Sequence, residues 1–352
     1  AAAAPPAEQP RSPAQRAACE DIQKQLHEVL EVLVDATERC ERGSCQGEPD
    51  SAKELVAQFL AADLPSQLVV SLAELEFEAR KDVISVFSAM VRLGSQLGIE
   101  PVQEYAQSHP AFFQLLVDGH GKPEIATHCG MMLRSCARHR PIVEAFLASP
   151  EVPLRLIGYM RHESFDISSD AFSSLHDILL THKPVSASFL EANFQEFFRL
   201  FNGLLQSDDY VTQRQALKLL SEILLDRAFQ RVMLSYIGDD QYLQIHMNLL
   251  RADSKAIQFE AFHVFKIFVA NPQKPPRVQL ILYKNKEKLV KLLETLRPNR
   301  ADDRQFAEDK STVIGKLQVT EAPERQPSKM APAAAAAPSG TPPGPAAAPS
   351  DG

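Results

Sequence analysis

His128, Cys129, Cys136 and His139 form the one concentration of soft metal ligands in the chain, and zinc binding is the chemistry such a set would serve. Their spacing argues against it. Cys129 and Cys136 share one face of a helix but stand seven residues apart, about 10 Å along the axis at 1.5 Å per residue. A zinc ion with sulfur bonds near ~2.3 Å cannot bridge that distance from one straight helix. Cys136 and His139 would make half a site, and nothing supplies the other half. A buried free cysteine instead behaves as a small hydrophobe. Cys40 and Cys45, in a short loop, can pair if oxidised, and Cys19 has no evident role.

The run Asp118-Gly119-His120-Gly121-Lys122-Pro123 has the flavour of a phosphate loop. It lacks the G-x-x-x-x-G-K-[ST] spacing, carries Pro where the metal-binding hydroxyl belongs, and follows a helix instead of a strand. As an EF-hand it would place Cys129 where the bidentate Glu is required, with His120 and Lys122 at ligand positions. A helix–helix turn fits better. Paired acids such as Asp208-Asp209 and Asp239-Asp240 sit at helix starts, where capping explains them. No metalloprotease, nucleophile-elbow, dinucleotide-binding or kinase signature is present. The expectation is a protein that is not an enzyme and holds no metal or cofactor.

The elements that would position any such residues are helices. Between about 15 and 315 apolar residues recur at three- and four-residue spacing, beginning with Ile22, Leu26, Leu30 and Leu33. This first helix leaves through a Cys40–Gly47 loop. Pro123 and Glu124 suit a first turn, Asp208 and Asp253 suit N-caps, and Asn271-Pro272 closes a helix. Five helices carry an apolar triplet at i, i+4, i+7: Val83/Phe87/Met90, Cys129/Leu133/Cys136, Ala171/Leu175/Ile178, Ala216/Leu220/Ile223 and Ala261/Phe265/Phe268. Their central members step by 46, 42, 45 and 45 residues, a period in the armadillo/HEAT range. The fold expected is all-α, a right-handed α-solenoid whose core lies between repeats and whose concave face is continuous.

Composition narrows the function. The chain has 352 residues and a net charge of −8, which argues against affinity built on neutralising phosphates. Five cysteines in so long a chain argue against a secreted disulfide scaffold. Zero Trp removes tryptophan cages and stacking platforms. Of 25 prolines, four lie in residues 1–18 and eight in 323–352, among Ala, Ser, Gly and Gln. Such segments bury too little to offset their ordering entropy. The expected division is a disordered segment over 1–14, a helical-repeat domain over 15–318, and a disordered Ala/Pro-rich tail over 319–352. No run of 18 apolar residues marks a membrane span, the start lacks the order of a secretory signal, and cytoplasm is the default location. The chain begins at Ala1 and not Met, which is compatible with a processed or trimmed terminus.

What faces the concave surface can be read from the same helices. Beside the core triplet of 209–226 runs a second stripe, Tyr210, Arg214, Lys218 and Ser221. Phe165 is the counterpart of Tyr210 one period earlier, each ten residues before its leucine. Aromatics at two successive helix heads beside a basic stripe suit docking of a folded acidic partner. Equally, the rings could staple their own helix starts and the cations could be solvated. A second basic run, Lys284, Lys286, Lys288, Lys291, Arg297 and Arg300 against Glu287 and Glu294, is either a solvated face or a seat for a partner's acidic tail.

Longer runs are specific. Phe165-Asp166-Ile167-Ser168-Ser169-Asp170-Ala171-Phe172, Tyr210-Val211-Thr212-Gln213-Arg214-Gln215 with Leu225-Asp226-Arg227, Met247-Asn248-Leu249-Leu250-Arg251, and Ile257 through Lys266 with Phe268 through Pro272 resemble the calcium-binding protein 39 family. The likeness runs from about Ser12 to about Lys310. It implies an armadillo-like scaffold without catalytic activity, monomeric alone, that binds sterile-twenty-type kinases or pseudokinases on its concave face and holds them closed and active-like. In animals the pseudokinase complex then switches on a second kinase, and fungal relatives serve polarity networks. Positions matching the family's concave contacts are Phe165, Tyr210, Arg214, Lys218 and Arg227. Positions matching a second site, a pocket for a Trp-Glu-Phe tail, are Met247, Lys284 and Lys288. His246 stands where a second methionine is usual, and the Ala/Pro tail is not a family feature. The family's name promises calcium, for which this chain has no ligand loop.

The leading reading is therefore an allosteric kinase scaffold. A helical-repeat cargo or assembly adaptor is the alternative, although the importin type needs Trp-Asn arrays that a Trp-free chain cannot build. With the termini set aside, the folded body is more acidic than the whole, and the basic ground is local to 214–227 and 284–300.

Overall fold

A computed structural model describes residues 12–42, 50–96, 100–297 and 304–323. The segments expected to be disordered fall largely outside these ranges, as do Cys45, Arg300 and most of the Cys40–Gly47 loop. Pro13 and Ala14 belong to the first helix, so the helical body starts two residues before the expected boundary.

Eighteen α-helices and two short 3₁₀ turns, with no strand among the described residues, build the chain. A long helix α1 (Pro13–Glu41) precedes five three-helix units. The first unit holds α2 (Asp50–Ala61), α3 (Leu64–Ser71) and α4 (Phe77–Gln96), the second α5 (Glu100–Ser108), α6 (Pro110–Gly119) and α7 (Ala126–Ala137). The third holds α8 (Arg140–Leu147), α9 (Glu151–Tyr159) and α10 (Phe165–Thr181), the fourth α11 (Lys183–Ala192), α12 (Phe194–Leu205) and α13 (Tyr210–Leu225). The fifth holds α14 (Gln230–Ile237), α15 (Asp240–Leu249) and α16 (Lys255–Ala270), and α17 (Pro276–Thr295) and α18 (Arg304–Gln318) close the stack.

Equivalent helices pack on one another in successive units. The third helices form a ladder in which α1 packs on α4, α4 on α7, α7 on α10, α10 on α13, α13 on α16 and α16 on α18. The seam between α10 and α13 is the thinnest in that ladder. The first helices form a second ladder, α2–α5–α8–α11–α14. This is the armadillo-type α-solenoid, and the triplets show why it forms. All fifteen triplet residues are buried, because a unit of three short helices has no interior of its own and hides its apolar stripes only against its neighbours. Among the described residues no single helix is long and apolar enough to cross a membrane, though α2 and α3 with its following turn, bent by 62°, together have the length and apolarity.

Cap positions depart from expectation by one residue. Asp209, not Asp208, caps α13 by accepting from Thr212 N at 2.7 Å. Ser254, not Asp253, caps α16 through Ile257 N at 3.4 Å. In each pair the second residue has the extended backbone that a cap requires. Pro123 and Glu124 lie in the turn before α7 and not in its first turn. Asp239 does cap α15, and α16 ends at Ala270 before Asn271-Pro272.

The His/Cys group is dispersed into packing. Cys129 and Cys136 are buried, and burial pushes each thiol up to about 12, which keeps it protonated. His120 is fully buried in the turn after α6, its Nδ1–H donating to the Leu116 carbonyl at 3.0 Å. Its Nε2 lies 3.3 Å from Asp170 Oδ2 on α10, without hydrogen-bond alignment. Arg134 of α7 completes the link, donating to Asp170 Oδ1 at 2.8 Å and Ser174 Oγ at 3.0 Å. Gly130 makes the approach possible, since a Cβ there would overlap the Asp170 carboxylate. A second network lies deeper. Tyr236 donates to Asn202 Oδ1 at 2.9 Å and accepts from His246 Nε2 at 3.0 Å. That makes His246 the neutral Nε2–H tautomer, and full burial holds its pKa down to about 3.

Two outcomes test these networks. Gly130→Ala should lower stability by about 2–5 kcal/mol in urea denaturation, because it displaces the partner of a mostly buried cation. His246 stays neutral when folded but takes a proton when unfolded, so its contribution is complete above about pH 6.5 and fades as pH falls. Between pH 7 and 5 the native chain should lose about 2 kcal/mol more stability than His246→Met, measured by paired denaturation curves.

Candidate functional site

The residues matched to a concave docking face are set by α10 and α13. Phe165 and Tyr210 are each the first residue of their helix, and both rings are exposed, by 61% and 46%. A ring stapling its own helix start would be folded against it, so these positions leave their aromatic area to solvent. The head of α13 is held firmly. Asp209 caps it, and Gln213 Nε2 donates to the carbonyls of Leu205 at 2.9 Å and Ser207 at 3.3 Å. The Thr212 N–H bond holds the Asp209 carboxyl below its ordinary value, keeping the cap charged.

From Tyr210 the exposed stripe runs through Arg214 to Lys218, about 12 Å at 1.5 Å per residue. It then departs from expectation. Ser221 is buried, and Glu222 and the exposed Leu225 continue the stripe instead. Glu222 is the local counter-charge, 4.0 Å from Lys218 Nζ and 3.1 Å from His176 Nε2 on α10. A second carboxylate, Glu260 on α16, is pushed up by burial and drawn back down by Arg214 and Lys218. The cations are thus balanced by Glu222 on α13 itself and by the field of Glu260 on α16, the second of which the α13 sequence alone does not reveal. Arg227 is exposed just past α13, in a turn begun by Asp226, which accepts from Lys183 Nζ at 2.6 Å and from Ala228 N at 2.8 Å.

Two clefts open at the α10–α13 seam. One of about 670 Å³ lies at the helix heads and is lined by Phe165, Arg161, Glu163, Gln206 and Asp208 among others. The other, about 270 Å³, lies further along between Phe172, His176, Lys218 and Glu222. The structure therefore brings Phe165, Tyr210, Arg214 and Lys218 onto adjacent helices, with Arg227 at the far end of α13.

The residues matched to a tail pocket lie on α15 and α17, which pack together. Met247 is buried and Lys284 and Lys288 are exposed one turn apart. His246 is fully buried in the Tyr236–Asn202 network and is a core residue. The remaining lysines of the run do not all join this group. Lys286 and Lys291 line a cleft of about 330 Å³ with Val290 and Gln318, further round α17.

Compared with known proteins, the chain matches the profile of the Mo25-like family over residues 6–320. It is 42% identical over 280 residues to the Mo25-like protein of Schizosaccharomyces pombe, covering 78% of this chain and 84% of that one. It is 40% identical over 303 residues to the degreening-related gene dee76 protein of Auxenochlorella protothecoides, covering 86% and 92%. Identity to the calcium-binding protein 39-like protein of Mus musculus is 39% over 301 residues, covering 85% and 87%. A helical-repeat stack matched over almost its whole described length leaves one assignment: the chain belongs to the Mo25-like family.

Proposed function

We propose that the chain is a non-catalytic scaffold that binds sterile-twenty-type protein kinases or pseudokinases and activates them allosterically, by holding the closed kinase conformation on its concave face. The observation that carries this reading is the pair of exposed rings at consecutive helix heads, Phe165 and Tyr210, continued by Arg214 and Lys218 and ending near Arg227. Large exposed aromatics beside an arginine are the residue types that dominate interface energetics. They stand on helices fixed by buried triplets, and α13 is also capped by Asp209, so little is lost to ordering on association. Binding the closed state in preference to the open one shifts the partner by the difference in affinity. Moving a partner from one part in a hundred closed to ninety-nine would need roughly 10⁴-fold preference. That demands a broad, rigid surface, which a solenoid supplies. The buried, protonated Cys129 and Cys136 and the capping roles of Asp209 and Asp239 take the more reactive side chains out of contention for catalysis.

In this reading Met247, Lys284 and Lys288 seat a Trp-Glu-Phe-like tail of the partner. Met247 would offer adaptable apolar contact, and the lysines would hold the tail's carboxylates. The protein would act in the cytoplasm, as a monomer until its partner docks, with a second kinase able to join the complex.

Arg214→Ala and Tyr210→Ala should each weaken binding of a purified sterile-twenty-type kinase domain by about tenfold or more, with melting temperatures close to the native chain. Unchanged binding by both variants would remove the concave-face reading. Met247→Ala should cost about tenfold or more in affinity for a synthetic peptide ending in Trp-Glu-Phe, read by calorimetry, while binding of a kinase domain lacking that tail stays the same. Equal peptide affinity in the folded variant would take Met247 out of the pocket.

A further inference from the structure

The repeat register orders the exposed side chains as strictly as the core. Measured from the central member of each triplet, the residues ten, six and two positions earlier form three rows across α4, α7, α10 and α13. Of these twelve positions eleven are exposed and Ser169 is half-buried. None is Asp or Glu, in a chain with 45 acidic residues. The first row reads Phe77, Pro123, Phe165, Tyr210, so Phe77 stands two repeats before Phe165 at the same place. Like Phe165 and Tyr210 it is the first residue of its helix, and it is 59% exposed.

The next row strengthens the parallel. Lys81 follows Phe77 by four residues, as Arg214 follows Tyr210. Lys81 Nζ sits 4.2 Å from the Phe77 ring centroid, so ring and cation present one composite surface. Lys81 also meets Glu78 at 3.0 Å, an exposed i,i+3 pair of the kind that contributes little and yields readily to a partner. Between Phe77/Lys81 and the equally spaced Tyr210/Arg214 the third row offers Met131, 48% exposed on α7.

We propose that the docking surface extends to the first repeat, where Phe77 and Lys81 form a second aromatic–cation anchor. Its occupant is the acidic face of one folded domain reaching from α4 to α13. Three ladder steps at 8–10 Å between helix axes separate the two anchors, roughly 25–30 Å. That matches the width of a small domain, whose radius of gyration is about 13 Å for 100 residues. The cations of these rows, Lys81, Arg214 and Lys218, supply the charge complementarity to an acidic face. Their neighbours Glu78 and Glu222 form surface pairs that a partner's carboxylates can replace. The shared register makes the surface continuous with the one bearing Tyr210 and Arg214. The inference rests on the kinase-scaffold reading above and enlarges its footprint.

The test uses the full chain and a purified sterile-twenty-type kinase domain, with dissociation constants measured at low and physiological salt. Phe77→Ala should weaken binding by about tenfold or more. Lys81→Glu should weaken it more at low salt than at physiological salt, as screening dictates. Both positions are exposed, so melting temperatures should stay near native. Tyr210→Ala is the reference. If it weakens binding while Phe77→Ala and Lys81→Glu stay within about twofold of native, the extension is wrong and the scaffold reading stands. If neither end responds, or the native chain binds no kinase domain, both are overturned.

Discussion

A unit of three short helices cannot bury its own apolar stripes, and that constraint governs everything else in this protein. The triplet Ala216/Leu220/Ile223 of α13 is hidden because third helices α10 and α16 lie on either side and α12 of the same unit packs beside it. Burial against neighbours fixes the rotation of every helix about its axis. Once rotation is fixed, the side chains opposite the core are fixed as well. Phe165, Tyr210, Arg214 and Lys218 therefore face solvent by the same geometry that buries the core, with no separate device to aim them.

The parts that were legible in the sequence are those that obey this period. The triplets and their near-constant step gave the helix order, the core and the exposed stripe of α13. Where two residues could serve one role, pattern alone chose wrongly, as with Asp208 and Asp209 or Asp253 and Ser254. Both members of each pair can accept the capping bond, and only the local backbone angles decide between them. Ser221 looked like a stripe residue because eleven positions nearly complete three turns, yet α13 turns it inward. Pairings across the ladder were invisible for a plainer reason. Glu260 on α16 feels the charges of Arg214 and Lys218 on α13, and His176 meets Glu222 across α10 and α13. Such contacts depend on the interhelical distance, which no spacing along one helix encodes.

Buried polar groups mark where the stack departs from an oily repeat. Asp170 is held by Arg134, with His120 beside it, and only the missing Cβ of Gly130 lets the carboxylate settle there. His246 is joined to Tyr236 and Asn202 within a cluster of aromatic rings. Tyr236 bonds to both His246 and Asn202 without any buried charge, while His246 Nδ1 and Asn202 Nδ2 stay without a hydrogen-bond partner among the described residues. His246 therefore sits in the core directly before Met247 as a neutral ring.

The seams of the ladder are not equally strong. Between α7 and α10 the packing is extensive and the Arg134–Asp170 bond crosses it, whereas the α10–α13 seam is the thinnest of all and opens into two clefts. A rod of stacked plates flexes where its joint is weakest. Here the thinnest joint lies between Phe165 and Tyr210, so the spacing of the two rings is set by less direct helix-to-helix packing than any other step of the ladder. A core substitution at this seam changes the distance between the rings before it changes either helix.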